Sequence, residues 1–205
     1  MENVEYVFEK FNVAKYIVNE YANRFDGALI SSLKLQKSLY LLFAKWGGLI
    51  IEARTNKKKD AEVDFSEFHE YLFNPTFFAW RYGPTDKDIY EWFVKTENHK
   101  KTNNKNIELR YMIDVSNFEK QIINDFIDYL LPRLFITSDF ALVELVHQDN
   151  CWKNARKNNN ELSIIIPNDE IIKEYSDDIR LRNNSWQLNQ FSNHFSKNII
   201  LKNEK

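Results

Sequence analysis

The most constraining feature of the chain is an apolar stripe inside residues 30–46, ISSLKLQKSLYLLFAKW. Leu35, Leu39, Leu42, Phe43 and Trp46 recur at i, i+4, i+7, i+8 and i+11, the rhythm of a helix with one buried face. Ser31 or Ser32 stands just ahead of the stripe, where a hydroxyl can accept from an orphan helix N–H. The stretch predicts a central helix that the rest of the chain packs around.

Further helical patterns follow it in an α-rich background. Residues 12–25 repeat Val13, Tyr16, Ile17, Tyr21 and Phe25 at helical spacing, with Asn12 placed to cap and Asp26-Gly27 to stop the helix. The central helix is expected to run to about Ile51, with Gly47 and Gly48 marking either its end or a close approach by another element. Asn74-Pro75 breaks an aromatic run, a short extended piece is expected over 77–81, and Pro84 or Thr85 is expected to open the next helix. Residues 116–131 read as a helix limited by Pro132, and residues 139–147 as another capped by Thr137 or Ser138. The segment 148–152 is expected to turn, 107–115 and 164–167 to be short extended pieces, and 168–175 to close the domain as a helix.

Only four glycines and four prolines occur in 205 residues, against 43% hydrophobic and 15% aromatic residues, which favours helices over a turn-dense β architecture. The expected fold is therefore mainly α, a single compact helical domain over 1–176 with at most a few short strands. A C-terminal amphipathic extension over 177–205 follows, with Trp186, Leu188, Phe191, Phe195 and Ile199 on an Asn- and Lys-rich background. That stripe is suited to bury itself on the domain's own core or in a partner's groove.

Several chemistries find no support in the sequence. A net charge of −2 argues against a general nucleic-acid coat, and no cluster of Arg or Lys marks a recognition helix. The histidines are scattered, without paired metal-ligand spacing, and there is no glycine-rich phosphate loop, so no metal, no cofactor and no catalytic residue is assigned. His147 and Cys151 are four residues apart, but Asp149-Asn150 favours a turn between them over a facing Cys–His pair. The lone cysteine, the acidic start MENVEYVFEKF and the lack of any long apolar run predict a cytoplasmic protein with no membrane span.

The wording of the motifs adds what their periodicity does not. LKLQK (Leu33, Lys34, Leu35, Gln36, Lys37) with Tyr40, then the WRYGP element with Trp80, Tyr82, Gly83 and Pro84, then His147 with Trp152, resembles the Panacea domain. This family is also called SocA-like, and it includes antitoxins and phage-associated proteins. The resemblance covers roughly residues 12–175. The chain departs from the usual wording at Ser38, Thr85, Val146 and Cys151, none of which breaks the apolar pattern.

The resemblance implies an antitoxin-like binding protein that neutralises a cognate toxin by covering it or by delivering it to a protease. Its alternative is a phage or mobile-element inhibitor of a host defence complex, acting by occlusion as anti-CRISPR proteins do. Lys153 and Arg156, with Trp186, Phe191 and Phe195 of the extension, are the expected partner contacts, together with the polar stretch 97–106. Lys34 and Lys37 read most simply as stems lying over apolar surface with wet ammonium groups. The match in polar residues points further, to Gln36 and Lys37 bonding the Tyr82-Gly83-Pro84 turn.

Overall fold

The computed structural model describes residues 5–55, 67–95, 107–157 and 164–177. The expected partner-contact stretch 97–106 and the extension with Trp186, Phe191 and Phe195 lie outside the described residues. Among the described residues the architecture is mainly α, with one small hairpin. In chain order the elements are α1 (Lys10–Arg24), α2 (Ser32–Thr55), β1 (Phe77–Trp80), β2 (Gly83–Asp86), α3 (Lys87–Lys95), α4 (Asn117–Ile136), α5 (Asp139–Val146), α6 (Asn150–Lys157) and α7 (Asn168–Asp177).

α2 is the axis of the fold. Every residue from Lys34 to Ala44 is buried, and α1, α3, α4, α5, α7 and β2 all pack on it. A stretch of helix buried on every face is a core helix, here with Lys34, Gln36, Lys37 and Ser38 buried beside the aromatic residues Tyr40, Phe43 and Trp46. Phe43 meets Tyr71, Phe73 and Phe77, while Trp46 lies edge-on to Phe126 of α4. Ser31 caps α2, its hydroxyl accepting from the Lys34 N–H at 3.0 Å.

The helix passes through Gly47 and Gly48 and ends four residues beyond the expected Ile51, at Thr55. The glycines mark a close approach and not a stop. A Cβ on Gly47 would fall 2.5 Å from Cγ1 of Ile172, and one on Gly48 would fall 2.7 Å from the backbone carbon of Tyr175. α7 therefore lies directly on the backbone of α2, and the packing outweighs the helix penalty of about 1 kcal/mol per glycine.

Four other expectations are corrected. Pro84 and Thr85 belong to β2, and α3 starts at Lys87, because the Asp86 carboxylate accepts the Ile89 N–H and serves as the cap. Pro132 lies inside α4, which continues to Ile136 because Leu130, Leu131, Leu134 and Phe135 bury its faces on both sides of the proline. Residues 148–152 do not form one turn, since α6 begins at Asn150 and includes Trp152. At α1 the cap is Glu9, whose carboxylate accepts from the Asn12 N–H. The stretches 107–115 and 164–167 contribute isolated bridges, Phe8 to Tyr111 and Phe78 to Ile165, and no full strand.

Candidate functional site

β1 and β2 pair antiparallel, Ala79 opposite Pro84 and Trp80 opposite Gly83, leaving Arg81 and Tyr82 as the loop. Both keep negative φ, and the chain turns back because Gly83 takes φ +95. A side chain there is doubly excluded. Its Cβ would fall 2.6 Å from Cγ2 of Val146 and 3.2 Å from Nζ of Lys37.

The inner side of this turn is held by α2. Gln36 reads the backbone of Asp86 with both ends of its amide, accepting the Asp86 N–H at 2.8 Å and donating to its carbonyl at 3.3 Å. Lys37 extends beneath the turn and donates to the Pro84 carbonyl at 2.7 Å. Its ammonium is not wet, because the residue is 0% exposed. Burial without a carboxylate partner lowers its pKa to about 7.

Asp86 completes this inner knot. Its carboxylate is buried, accepts the Thr76 and Ile89 N–H groups at 2.9 and 3.1 Å, and pairs with Lys10 of α1 at 3.2 Å. One acid thereby joins the hairpin, the start of α3 and α1.

The outer side of the turn is held by α6. The Trp152 indole donates to the Trp80 carbonyl at 3.0 Å, and Arg156 donates to that of Ala79 at 3.1 Å. His147, the C-cap of α5, stacks on Trp152 with ring centroids 4.1 Å apart and planes 11° off parallel. It also bonds the Arg81 backbone, while burial lowers its pKa. The three motif pieces therefore meet around one two-residue turn.

A second knot sits behind the first on α2. The Tyr40 and Tyr175 hydroxyls both donate to Oδ2 of Asp149, at 2.7 and 2.9 Å. Burial raises the Asp149 carboxyl to about 6, against the pull of the two hydroxyls. Cys151 belongs to this knot, with Sγ 3.6 Å from the Tyr40 hydroxyl, and burial pushes its thiol up. A reactive thiolate has the opposite character, and the imidazole of His147 faces Trp152 instead of the sulfur. Glu174 of α7 accepts the Asn150 and Cys151 N–H groups at 2.5 and 2.8 Å, which fastens the start of α6.

The remaining expected residues are divided. Leu35 is buried in the core. Lys34 is also buried, so its ammonium is not wet either, but it works one turn earlier on α2 by pairing with Asp139 at 3.2 Å. Leu33 faces outward, and Tyr82 is 55% exposed at the tip of the turn. Lys153 lies on α6 and bonds the Gln148 carbonyl at 2.5 Å. Asp86 and Asp88 read from the sequence as early carboxylates of the next helix and Asp149 as part of a turn, while nothing in the sequence marks Tyr175 or Glu174. Asp86 also stands just after a Gly-Pro pair and three residues before Ile89, the spacing of a cap.

Among the described residues no group of three His, Cys, Asp or Glu is placed to hold a metal ion, and no helix is long and apolar enough to cross a membrane. Comparison with protein-family models, with curated proteins and with solved structures found no match to this chain.

Proposed function

We propose that this chain is an antitoxin-like binding protein that neutralises a protein toxin by direct contact, working in the cytoplasm. The observation that supports this reading is the convergence of the Panacea-like motifs. Gln36 and Lys37 hold the turn from within, and Trp152 holds it from without. The outcome is a held turn whose exposed tip is Arg81 and Tyr82, bonded from outside by Trp152 and Arg156 of α6, the helix that also carries half-buried Lys153. Pre-ordering an aromatic and basic surface lowers the entropy lost on binding, and Tyr and Arg are the residues that most often dominate interfaces. Delivery of the captured toxin to a protease would use the same contact.

The test is co-expression of the full chain with each growth-inhibiting small protein encoded beside its gene. Growth is expected to be restored by the wild-type chain, and restored poorly when Tyr82→Ala and Lys153→Glu are combined. Capture of a host defence nuclease by the same surface would instead make the protein an inhibitor of that complex. Growth that recovers equally with the variant removes the turn from the contact.

A further inference from the structure

Five large apolar side chains stand exposed around one joint of the fold. Ile136 and Phe140 are 78% and 75% exposed, and Leu29, Phe25 and Leu33 accompany them. Bonds between their neighbours bring them together. Ser31 donates to Asp139, and Lys34 bonds the Thr137 carbonyl and pairs with Asp139, so the α1–α2 connection is fastened to the α4–α5 joint. Phe25 reaches the same corner through Tyr21, whose ring is 4.7 Å from it and 5.3 Å from Phe135. At about 150–250 Å² for a whole aromatic side chain and somewhat less for an aliphatic one, these exposures amount to roughly 500 Å² of apolar surface. A monomer seldom leaves that much in water unless another molecule uses it.

The rim of this corner carries one charge of each sign. Asp26 is exposed directly after Phe25, on left-handed backbone with φ 50. Arg133 stands one turn before Ile136 on the exposed side of α4, its guanidinium held 3.7 Å over the Tyr129 ring. Neither has an ion-pair partner among the described residues.

We propose that this corner is the contact between two copies of the chain, related by a two-fold axis. Such an axis presses one patch against its own equivalent. Two exposures of roughly 500 Å² then bury about 1,000 Å², the least that a specific interface needs, so the dimer is a weak and reversible one. The same axis turns Arg133 of each copy toward Asp26 of the other. A patch that holds both members of an ion pair is complementary to itself, whereas a partner face of one sign would set a like charge against one of them. The turn at Arg81 and Tyr82 shares no residue with the corner, so the dimer carries that turn twice.

The test is sedimentation equilibrium of the full chain over about 1 to about 500 μM. The average mass is expected to rise with concentration from 24.6 kDa toward twice that value. Phe140→Asp is expected to hold the chain at the single-copy mass without shifting its thermal melt, since the side chain it replaces is three-quarters exposed. Arg133→Asp and Asp26→Arg each set like charges against one another across the axis, and each is expected to weaken association about tenfold. An equimolar mixture of these two variants restores both unlike pairs and is expected to associate as the wild type does. A wild-type mass that stays constant over the range would overturn the proposal and leave the corner to a different partner. A rise that Phe140→Asp leaves intact would overturn it as well. So would a mixture that associates no better than its components.

Discussion

The Lys37 amine donates to the Pro84 carbonyl at 2.7 Å from a position with no exposed surface. A buried ammonium without a carboxylate is penalised, so the folded chain releases its proton more readily than the unfolded one. Between about pH 7 and the ordinary lysine value of 10.5, the unfolded state binds more protons, and stability rises with pH. Below pH 7 the penalty is fully present. Lys37→Met is expected to abolish this rise, a difference on the order of a few kcal/mol across the window. Urea denaturation of both proteins at pH 7 and pH 9.5 measures it, and parallel curves would refute the assignment.

Asp149 has the opposite sign. Its carboxyl is raised from 3.8 to about 6 by burial, so between those values the folded state holds more protons and stability falls as pH rises. Asp149→Asn removes this dependence while keeping a side chain that can accept from Tyr40 and Tyr175. The variant is expected to lose less stability than wild type from pH 4 to pH 6. Identical slopes in thermal melts over that range would contradict the buried carboxyl.

Gly83→Ala meets two obstacles, the positive φ and the contact with Val146. Left-handed backbone on a non-glycine residue carries about 1 kcal/mol or more, and overpacking adds typically 1–3 kcal/mol. A loss of roughly 2–4 kcal/mol is therefore expected in chemical denaturation. A loss below about 1 kcal/mol would mean that the turn relaxes freely.

The adjacent glycines of α2 are expected to respond differently. At Gly47 the obstructing atoms are Cγ1, Cδ1 and Cγ2 of Ile172, a β-branched side chain in a helix that yields only in part, whereas at Gly48 they include the Tyr175 backbone carbon. Alanine gains about 1 kcal/mol of helix propensity at either position. Gly47→Ala should still lose about 1 kcal/mol net as Ile172 is displaced, and Gly48→Ala should lose more, about 2–3 kcal/mol, as the α7 backbone is pushed away. Equal effects would show that α7 is loosely seated.

The helical architecture was legible because the stripe Leu35, Leu39, Leu42, Phe43 and Trp46 repeats over several turns, and local periodicity carries that information. The bond of Lys37 to the turn was legible from the pairing of motifs, yet its complete burial was not, since a lysine in a pattern reads as a snorkelling surface residue. Pro84 misled because proline is equally at home at a helix start and in a two-stranded hairpin, where only one side of the strand is bonded. Pro132 misled for a tertiary reason, the buried residues on both sides holding the helix across the missing N–H. The Tyr40–Asp149–Tyr175 knot joins three distant positions with no local pattern, and only the fold brings them together.

The seating of α7 on bare helix backbone has a consequence for synthesis. α2 leaves the ribosome early, but the element that covers Gly47 and Gly48 follows more than a hundred residues later. At about 5–20 residues per second, the nascent chain waits on the order of ten seconds with that strip uncovered and Tyr40 lacking its partner from α7. A message cut short before Tyr175 would yield a product with an open seam along its central helix, a natural handle for chaperones and proteases.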